Sequence, residues 1–514
     1  MIKTKIYFRL FGFLILIGFT SCEKSVKKFS NEDRYASIFP DYNGLVIPPN
    51  IAPLNFYIKE SGSKYHVEIY SKNGDKLIIQ QKSPKILIPV NAWHKLIKQN
   101  AGNKISIDIY CKKEKWIKYK SISDSIASEP IESYLAYRLI GNARAYSYFR
   151  KIGLYQRNIE NFDESTIFEN TAAKHGCLNC HSFWNADPKM LTIHFRAVKP
   201  GTLLKRGDKM EYLKTKTKYT MTSFVYPAPA WHPGGNYLAF SLNKANLNSF
   251  YKVTKNVVSE WTDYASDIVV YNLKTNTVTT SPKISSKSRE NTPAWSPDGK
   301  MLYFISAPET KKNDYYNQIW AKYSLLRISY DTATNTWGDV DTVLSSRQTG
   351  KSISFPAISP DGRYVLFCML DHGYFATYDK TSDLYILDLK TNKYHRLDIS
   401  SSSAESFHDW SQNGRWIVFS SKRLDDIYSF PFIAYFDKNG NTGKPFVLPQ
   451  KDPLFYGTFL KHFNRPTFVK AKIDLNPRQV RDFIYNTEPK NVIFDSTVDV
   501  DALSGATWIA KHKP

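Results

Sequence analysis

A turn-and-strand signature recurs four times in the second half of this chain, and it restricts the fold more tightly than any other feature. Pro229-Ala230-Trp231-His232-Pro233-Gly234-Gly235 leads into Tyr237-Leu238-Ala239-Phe240, and Pro293-Ala294-Trp295-Ser296-Pro297-Asp298-Gly299 leads into Met301 to Ile305. Pro356-Ala357-Ile358-Ser359-Pro360-Asp361-Gly362 precedes Tyr364 to Phe367, and Asp409-Trp410-Ser411-Gln412-Asn413-Gly414 precedes Trp416 to Phe419. Counted from Trp231 through Trp295 and Ile358 to Trp410, the copies lie 64, 63 and 52 residues apart. In each S-P-D-G, proline fixes φ, aspartate bonds the local backbone and glycine accepts a positive φ, so each marks a tight turn. Strand segments such as Asp267 to Tyr271 and Asp383 to Leu387 fill the intervals. A four-stranded unit of this size cannot cover its own apolar faces, so the units must stack in a ring.

These repeats resemble the TolB-like β-propeller family over about residues 190–465. The resemblance implies a propeller over 190–470 with five to seven blades. Met190 to Leu213 and Phe455 to Val469 would add or close blades beyond the four legible copies. It also implies a platform on which proteins or peptides dock. The turn aspartates read as structural. The expected fold class is mainly β: an N-terminal β-sandwich, a short helical segment, and the propeller, with a C-terminal segment at 471–514.

The first residues carry an export signal. Lys3, Lys5 and Arg9 precede an apolar run, Leu10 to Phe19, too short to span a bilayer. Phe19-Thr20-Ser21-Cys22 follows and resembles the lipobox of bacterial lipoproteins, with Phe19 where leucine is usual. The resemblance implies a signal peptide over 1–22, acylation of Cys22 and anchorage to a membrane from the periplasm or cell surface, with the outer membrane favoured. Ordinary signal cleavage is the alternative. Residues 23–44 read as a polar tether. From 45 to 126 short alternating runs (Leu54, Phe56, Ile58; Tyr65, Val67, Ile69; Ile105, Ile107, Ile109), with a hairpin signal at Asn73-Gly74, predict a small β-sandwich.

With 514 residues, 42% of them hydrophobic and 15% aromatic, the chain can bury more than one core. Its net charge of +23 becomes +20 once Lys3, Lys5 and Arg9 are removed (23 − 3). These charges are scattered rather than gathered in a stripe, which excludes a nucleic-acid partner from the reading.

Residues 127–189 are expected to be helical. Glu129-Pro130 supplies a helix start, and Ile131, Tyr134, Leu135, Arg138 and Leu139 recur at helical spacing before Gly141. A second helix is expected over Asp163 to Lys174. It leads into Cys177-Leu178-Asn179-Cys180-His181, a C-x-x-C-H motif. Two thiols three positions apart suit the two vinyl groups of one porphyrin, and the adjacent imidazole suits the iron. A zinc half-site and a thioredoxin-like redox pair are the alternatives. The first lacks a second cysteine pair, since Cys111 and Cys368 stand alone, and the second lacks its βαβ context. On the following strand Met190, Thr192, His194 and Arg196 share one face. His194 or Met190 could supply a sixth iron ligand, and Arg196 could pair with a propionate.

Taken together, these features look like a group of Bacteroidota lipoproteins often labelled cytochrome c or cytochrome c biosynthesis proteins. That resemblance implies haem c and electron transfer with periplasmic redox or docking partners, and no catalytic residue. The alternatives are a non-enzymatic scaffold or haem sensor, and a haem enzyme. Finally, Asp501-Ala502-Leu503-Ser504-Gly505-Ala506-Thr507 is similar to the D-x-x-S-G-A-T signature of FMN-binding domains, which would make Thr507 a flavin attachment point. Ile509 departs from the Thr or Ser usual there, and the stretch after the last propeller strand is short for such a domain.

Overall fold

Each S-P-D-G turn joins the innermost strand of a four-stranded antiparallel sheet to the second strand. In the turn after Trp295, the Ser296 hydroxyl donates to Asp298 Oδ1 (2.5 Å), and the same carboxylate accepts from Lys300 N (3.1 Å). Met301 N donates to Ser296 Oγ (2.9 Å), and Gly299 takes φ +73°. The pattern returns at Ser359, Asp361 and Gly362, and at Ser411, Asn413 and Gly414. The turn aspartates are spent on these backbone bonds. That is why the sequence spacing translates directly into blade spacing.

The computed structural model describes residues 25–141, 151–173, 177–196, 199–215, 229–249, 259–377 and 379–499. Within them the chain builds six blades. Blade 2 comprises Cys177–Phe183, Met190–Arg196, Gly201–Arg206 and Lys209–Thr215, and blade 3 Ala230–Trp231, Tyr237–Ser249, Ser259–Asn272 and Thr277–Thr279. Blade 4 comprises Arg289–Trp295, Met301–Ala307, Ser324–Asp331 and Thr336–Leu344, and blade 5 Ser352–Ile358, Tyr364–Leu370, Asp383–Asp388 and Lys393–Arg396. Blade 6 comprises Glu405–Trp410, Trp416–Ser421, Phe430–Tyr435 and Phe446–Val447.

Blade 1 is composite and closes the ring. Its inner strand, Lys461–Val469, comes from the far end of the chain and pairs with Tyr134–Gly141, followed outward by Gly153–Asn158 and Glu164–Glu169. Adjacent inner strands touch in the order 1, 2, 3, 4, 5, 6 and back to 1. The fold is a six-bladed β-propeller.

This closure corrects the expected helical segment at 127–189. Tyr134–Gly141 is a strand, as is Glu164–Glu169, and Asn170–Ala173 forms a single 3₁₀ turn. Leu135, Ala136, Tyr137, Leu139 and Ile140 are all buried, because both faces of a blade are covered by neighbouring blades. A strand buried on both sides reads as a near-continuous apolar run, and such a run also satisfies helical spacing. The ring therefore begins near Tyr134 rather than at Met190, and it ends at Val469.

The N-terminal module is a seven-stranded sheet and a three-stranded sheet with one helix, Val90–Gln99, which the strand reading of 45–126 omitted. Trp93, Leu96 and Ile97 lie on one helical face, and Trp93 Nε1 donates to the Ile51 carbonyl (2.9 Å). The expected hairpin at Asn73-Gly74 joins Lys64–Ser71 to Leu77–Gln81. The expected tether at 23–44 is mostly structured. Phe29–Glu32 pairs in parallel with Trp116–Tyr119, and Ala36, Ile38 and Tyr42 are buried. The module shares one core with blades 5 and 6, and Trp416 Nε1 donates to the Glu129 carbonyl (3.1 Å).

Beyond the ring, helix Pro477–Asn486 starts with a reciprocal cap between Asn476 and Gln479 and buries Val480 and Ile484 against blade 1. Strand Lys490–Phe494 then pairs with the outer strands of blades 2 and 3, stitching their edges together. No described helix is long and apolar enough to cross a membrane.

Candidate functional site

The C-x-x-C-H motif lies in Cys177–Phe183, the innermost strand of blade 2, and not at the end of a helix. Its pairing with Met190–Arg196 breaks between Leu178 and His181, leaving Asn179 and Cys180 as a bulge. The inner strands of blades 1, 4, 5 and 6 break at the same level. The residues passed over are Thr292 and Pro293 in blade 4, Phe355 and Pro356 in blade 5, Phe407 and His408 in blade 6, and Arg465 and Pro466 in blade 1. The motif thus occupies a bulge that the repeat itself provides.

His181 follows the bulge and is 1% exposed. Neither ring nitrogen makes a hydrogen bond of ordinary geometry among the described residues. Burial pushes the imidazole pKa down to about 3, the Arg465 and Arg138 guanidiniums push the same way, and the Arg465 backbone offers a lesser opposing pull. The ring stands edge-on to Phe183 (5.6 Å between centroids). Arg138 Nη1 donates to the Leu178 carbonyl (3.3 Å), so a second cation reaches the same strand.

Strand pairing decides which sequence candidates meet. His181 lies opposite Ile193, and Phe183 opposite Leu191. Ile193, Leu191 and Phe195 pack into the core shared with blade 1. Ser182 lies opposite Thr192, and its hydroxyl donates to the Pro229 carbonyl of blade 3 (2.7 Å). Met190 packs with Trp231 and Leu238 on that side. Thr192, His194 and Met190 therefore do share a face, as the alternation required, but it is the face turned away from His181. His194 Nδ1 lies 3.3 Å from Thr202 Oγ1 in the same blade. Neither His194 nor Met190 is brought to His181, because a two-residue period sends their side chains to the opposite surface of the sheet.

Arg196 pairs through its backbone with Cys177. The side chains of Arg196, Cys177 and Cys180, and the whole of Cys22 and Thr507, lie outside the described residues. Cys111 and Cys368 are buried free thiols, with burial pushing Cys111 up to about 12 and Cys368 higher still, so both read as inert core residues. The residues that sequence reasoning missed are Arg138 and Arg465. They lie 42 residues before and 285 after Cys180, and no local motif links them to it.

The donor set suits a c-type haem in kind. It offers two cysteines at the required sequence spacing and an adjacent buried imidazole that makes no hydrogen bond of ordinary geometry among the described residues.

No protein-family model and no curated protein matches this sequence. Among solved structures the chain is similar to a protein described as a 6-phosphogluconolactonase from Bacteroides uniformis ATCC 8492. The two share 11% identity at TM-score 0.33, over 79% of this chain and 98% of that one. It is similar to the tricorn protease at 13% identity and TM-score 0.31, over 76% of this chain and 38% of that one. It is also similar to the Dos1 propeller at 13% identity and TM-score 0.28, over 47% and 66%. The propeller assignment rests on the strand pairing described above.

Proposed function

We propose that this chain is an exported lipoprotein with a TolB-like propeller, which carries one covalent haem c and passes single electrons between periplasmic partners. The observation that carries the reading is His181, adjacent to Cys180 in a C-x-x-C-H motif and 1% exposed, with no hydrogen bond of ordinary geometry to either ring nitrogen among the described residues. Cys177 and Cys180 would form the thioethers and His181 the proximal ligand. When bound, the haem supplies one-electron Fe(III)/Fe(II) chemistry. Burial holds His181 neutral, the protonation state an iron ligand needs. Cys22 would be the acylated anchor, and the ring would present its faces to redox or docking proteins. The export signal supports this reading because c-type haem is attached outside the cytoplasm.

The opposite-face arrangement of His181 and the His194 and Met190 pair favours a second reading. With no sixth ligand from that strand, an open iron position would suit a haem sensor or scaffold. Flavin at Thr507 remains a lesser proposal.

The test is to co-express the mature chain with a periplasmic haem-attachment system. A haem mass increment is expected on the peptide containing Cys177 and Cys180, and none in the Cys177→Ser/Cys180→Ser protein, whose propeller still folds. A low-spin, reversibly reducible spectrum supports electron transfer, and a high-spin iron that binds added ligands supports sensing. Colourless wild-type protein from a competent host sinks both haem readings.

A further inference from the structure

Lysines scattered along the sequence are gathered by the fold at one end of the seven-stranded sheet. Strand Lys64–Ser71 begins there, and the hairpin joining Lys104–Lys112 to Trp116–Tyr119 turns there. Antiparallel register sets Lys64 directly opposite Lys112, and Lys113 and Lys115 stand in the turn itself. Phe29–Glu32 runs parallel to Trp116–Tyr119 with Phe29 level with Trp116, so Lys27 and Lys28 enter beside the same turn. Lys27, Lys28, Lys64, Lys113 and Lys115 are exposed, and Lys112 is half-buried.

Like charges facing each other across a ladder repel. Among the described residues none of the six forms a salt bridge, whereas Lys76, Lys85, Lys95 and Lys118 of the same module each hold a carboxylate at 2.8 to 3.0 Å. Two aromatic rings lie beside these unneutralised charges. Cys111 and Ile109 point into the core, so Lys112 and its partner Trp116 take the outer face of the sheet. Phe29 is 41% exposed, with Lys118 Nζ 5.8 Å from its ring centre, and Lys112 Nζ lies 5.8 Å from that of Trp116. Aromatic rings flanked by long-stemmed cations are suited to the boundary between headgroups and acyl chains. The opposite edge of the sheet, Val46–Ile47, is the one that contacts blade 6. Cys22 precedes Lys27 by five residues, a span of at most about 18 Å.

We infer that this lysine-rich end is a second membrane contact, seated on the anionic headgroups of a phospholipid bilayer with Phe29 and Trp116 at headgroup level. It deepens the anchor reading above, on which the orientation rests. The acyl group at Cys22 supplies attachment, and the lysines fix which part of the molecule faces the lipid. The ring is then held beyond the far edge of the sheet, with its faces open to partners.

The experiment is co-sedimentation of the mature chain without its acyl group (residues 23–514) with vesicles of equal parts phosphatidylglycerol and phosphatidylcholine, and with phosphatidylcholine alone. Wild type should bind the anionic vesicles only, and added salt should release it. Lys64→Glu/Lys113→Glu/Lys115→Glu, all exposed positions, should lower the partition coefficient roughly a hundredfold, since each lysine at an anionic surface contributes about fivefold. Lys274→Glu/Lys287→Glu/Lys300→Glu, the same charge change at exposed positions on blades 3 and 4, should bind like wild type. Equal binding to both vesicle types, or equal loss in both variants, would overturn the proposal. So would a chain that ignores vesicles yet binds polyglutamate, because the basic end would then serve an acidic protein. Palmitate labelling of the exported chain tests Cys22 separately. A chain that binds anionic vesicles through these lysines but takes no label keeps the surface and loses the anchor, whereas a labelled chain that ignores the vesicles loses the surface alone.

Discussion

Ring closure can be tested at one contact between distant parts of the chain. Phe463, in the inner strand of blade 1, is 1% exposed and packs against Tyr137 at 4.8 Å, Phe459 at 5.2 Å and Phe430 at 6.3 Å between centroids. Phe463→Ala removes a full ring from a site walled by strands of blades 1 and 6, where little can collapse inward. The expected cost is about 3–5 kcal/mol, the transfer term plus the cavity. At roughly 2–4 °C per kcal/mol for a large domain, thermal denaturation should fall by about 6–20 °C. Leu460→Ala, three residues away and 66% exposed, should stay within about 0.5 kcal/mol. The decisive measurement is a double-mutant cycle with Tyr137→Leu and Phe463→Leu. Packed aromatic pairs couple by about 0.5–1.5 kcal/mol, and the Tyr137 hydroxyl bond to Glu164 cancels between the two backgrounds. A coupling near zero would mean that residues 134–169 do not close the ring, and the six-bladed assignment would be wrong.

Other perturbations probe the turns and the buried charges. Gly299→Ala should cost about 2–3 kcal/mol in urea unfolding, combining left-handed strain with a collision. Its Cβ would lie 2.4 Å from His232 Nε2, which now bonds the Gly299 carbonyl, whereas Gly362→Ala, at the same φ and meeting only Pro297 Cδ at 3.9 Å, pays the strain alone. Asp263 is buried, and its Oδ2 accepts from Asn243, Asn291 and Tyr374, yet burial raises its carboxyl to about 6. A folded pKa above the unfolded 3.8 adds stability at low pH that disappears as pH rises through 6. Relative to Asp263→Asn, wild type should therefore lose about 2 kcal/mol between pH 4 and pH 7, and parallel pH curves would contradict this. Arg423→Ala would leave Glu405, 0% exposed, without its 3.0 Å partner and should cost about 3–5 kcal/mol, whereas a loss under 1 kcal/mol would show that the Ser401 and Ser421 hydroxyls suffice.

Much of the propeller was written locally. Proline, aspartate and glycine set the turns at Ser296, Ser359 and Ser411, and the apolar strands after them had to be covered on both sides, so a ring followed from the residues alone. The C-x-x-C-H spacing was equally local, as was the shared face of Met190, Thr192 and His194. Tertiary structure decided which residues those local features met. The pairing of Tyr134–Gly141 with Lys461–Val469 made a blade of a stretch whose spacing also suited a helix, because register between segments over 300 residues apart leaves no periodic trace in either. The bulge between Leu178 and His181 turned His181 toward blade 1 while the two-residue period held His194 and Met190 toward blade 3. Arg465 came beside His181 through ring closure alone, since only a closed circle makes the last inner strand a neighbour of blade 2.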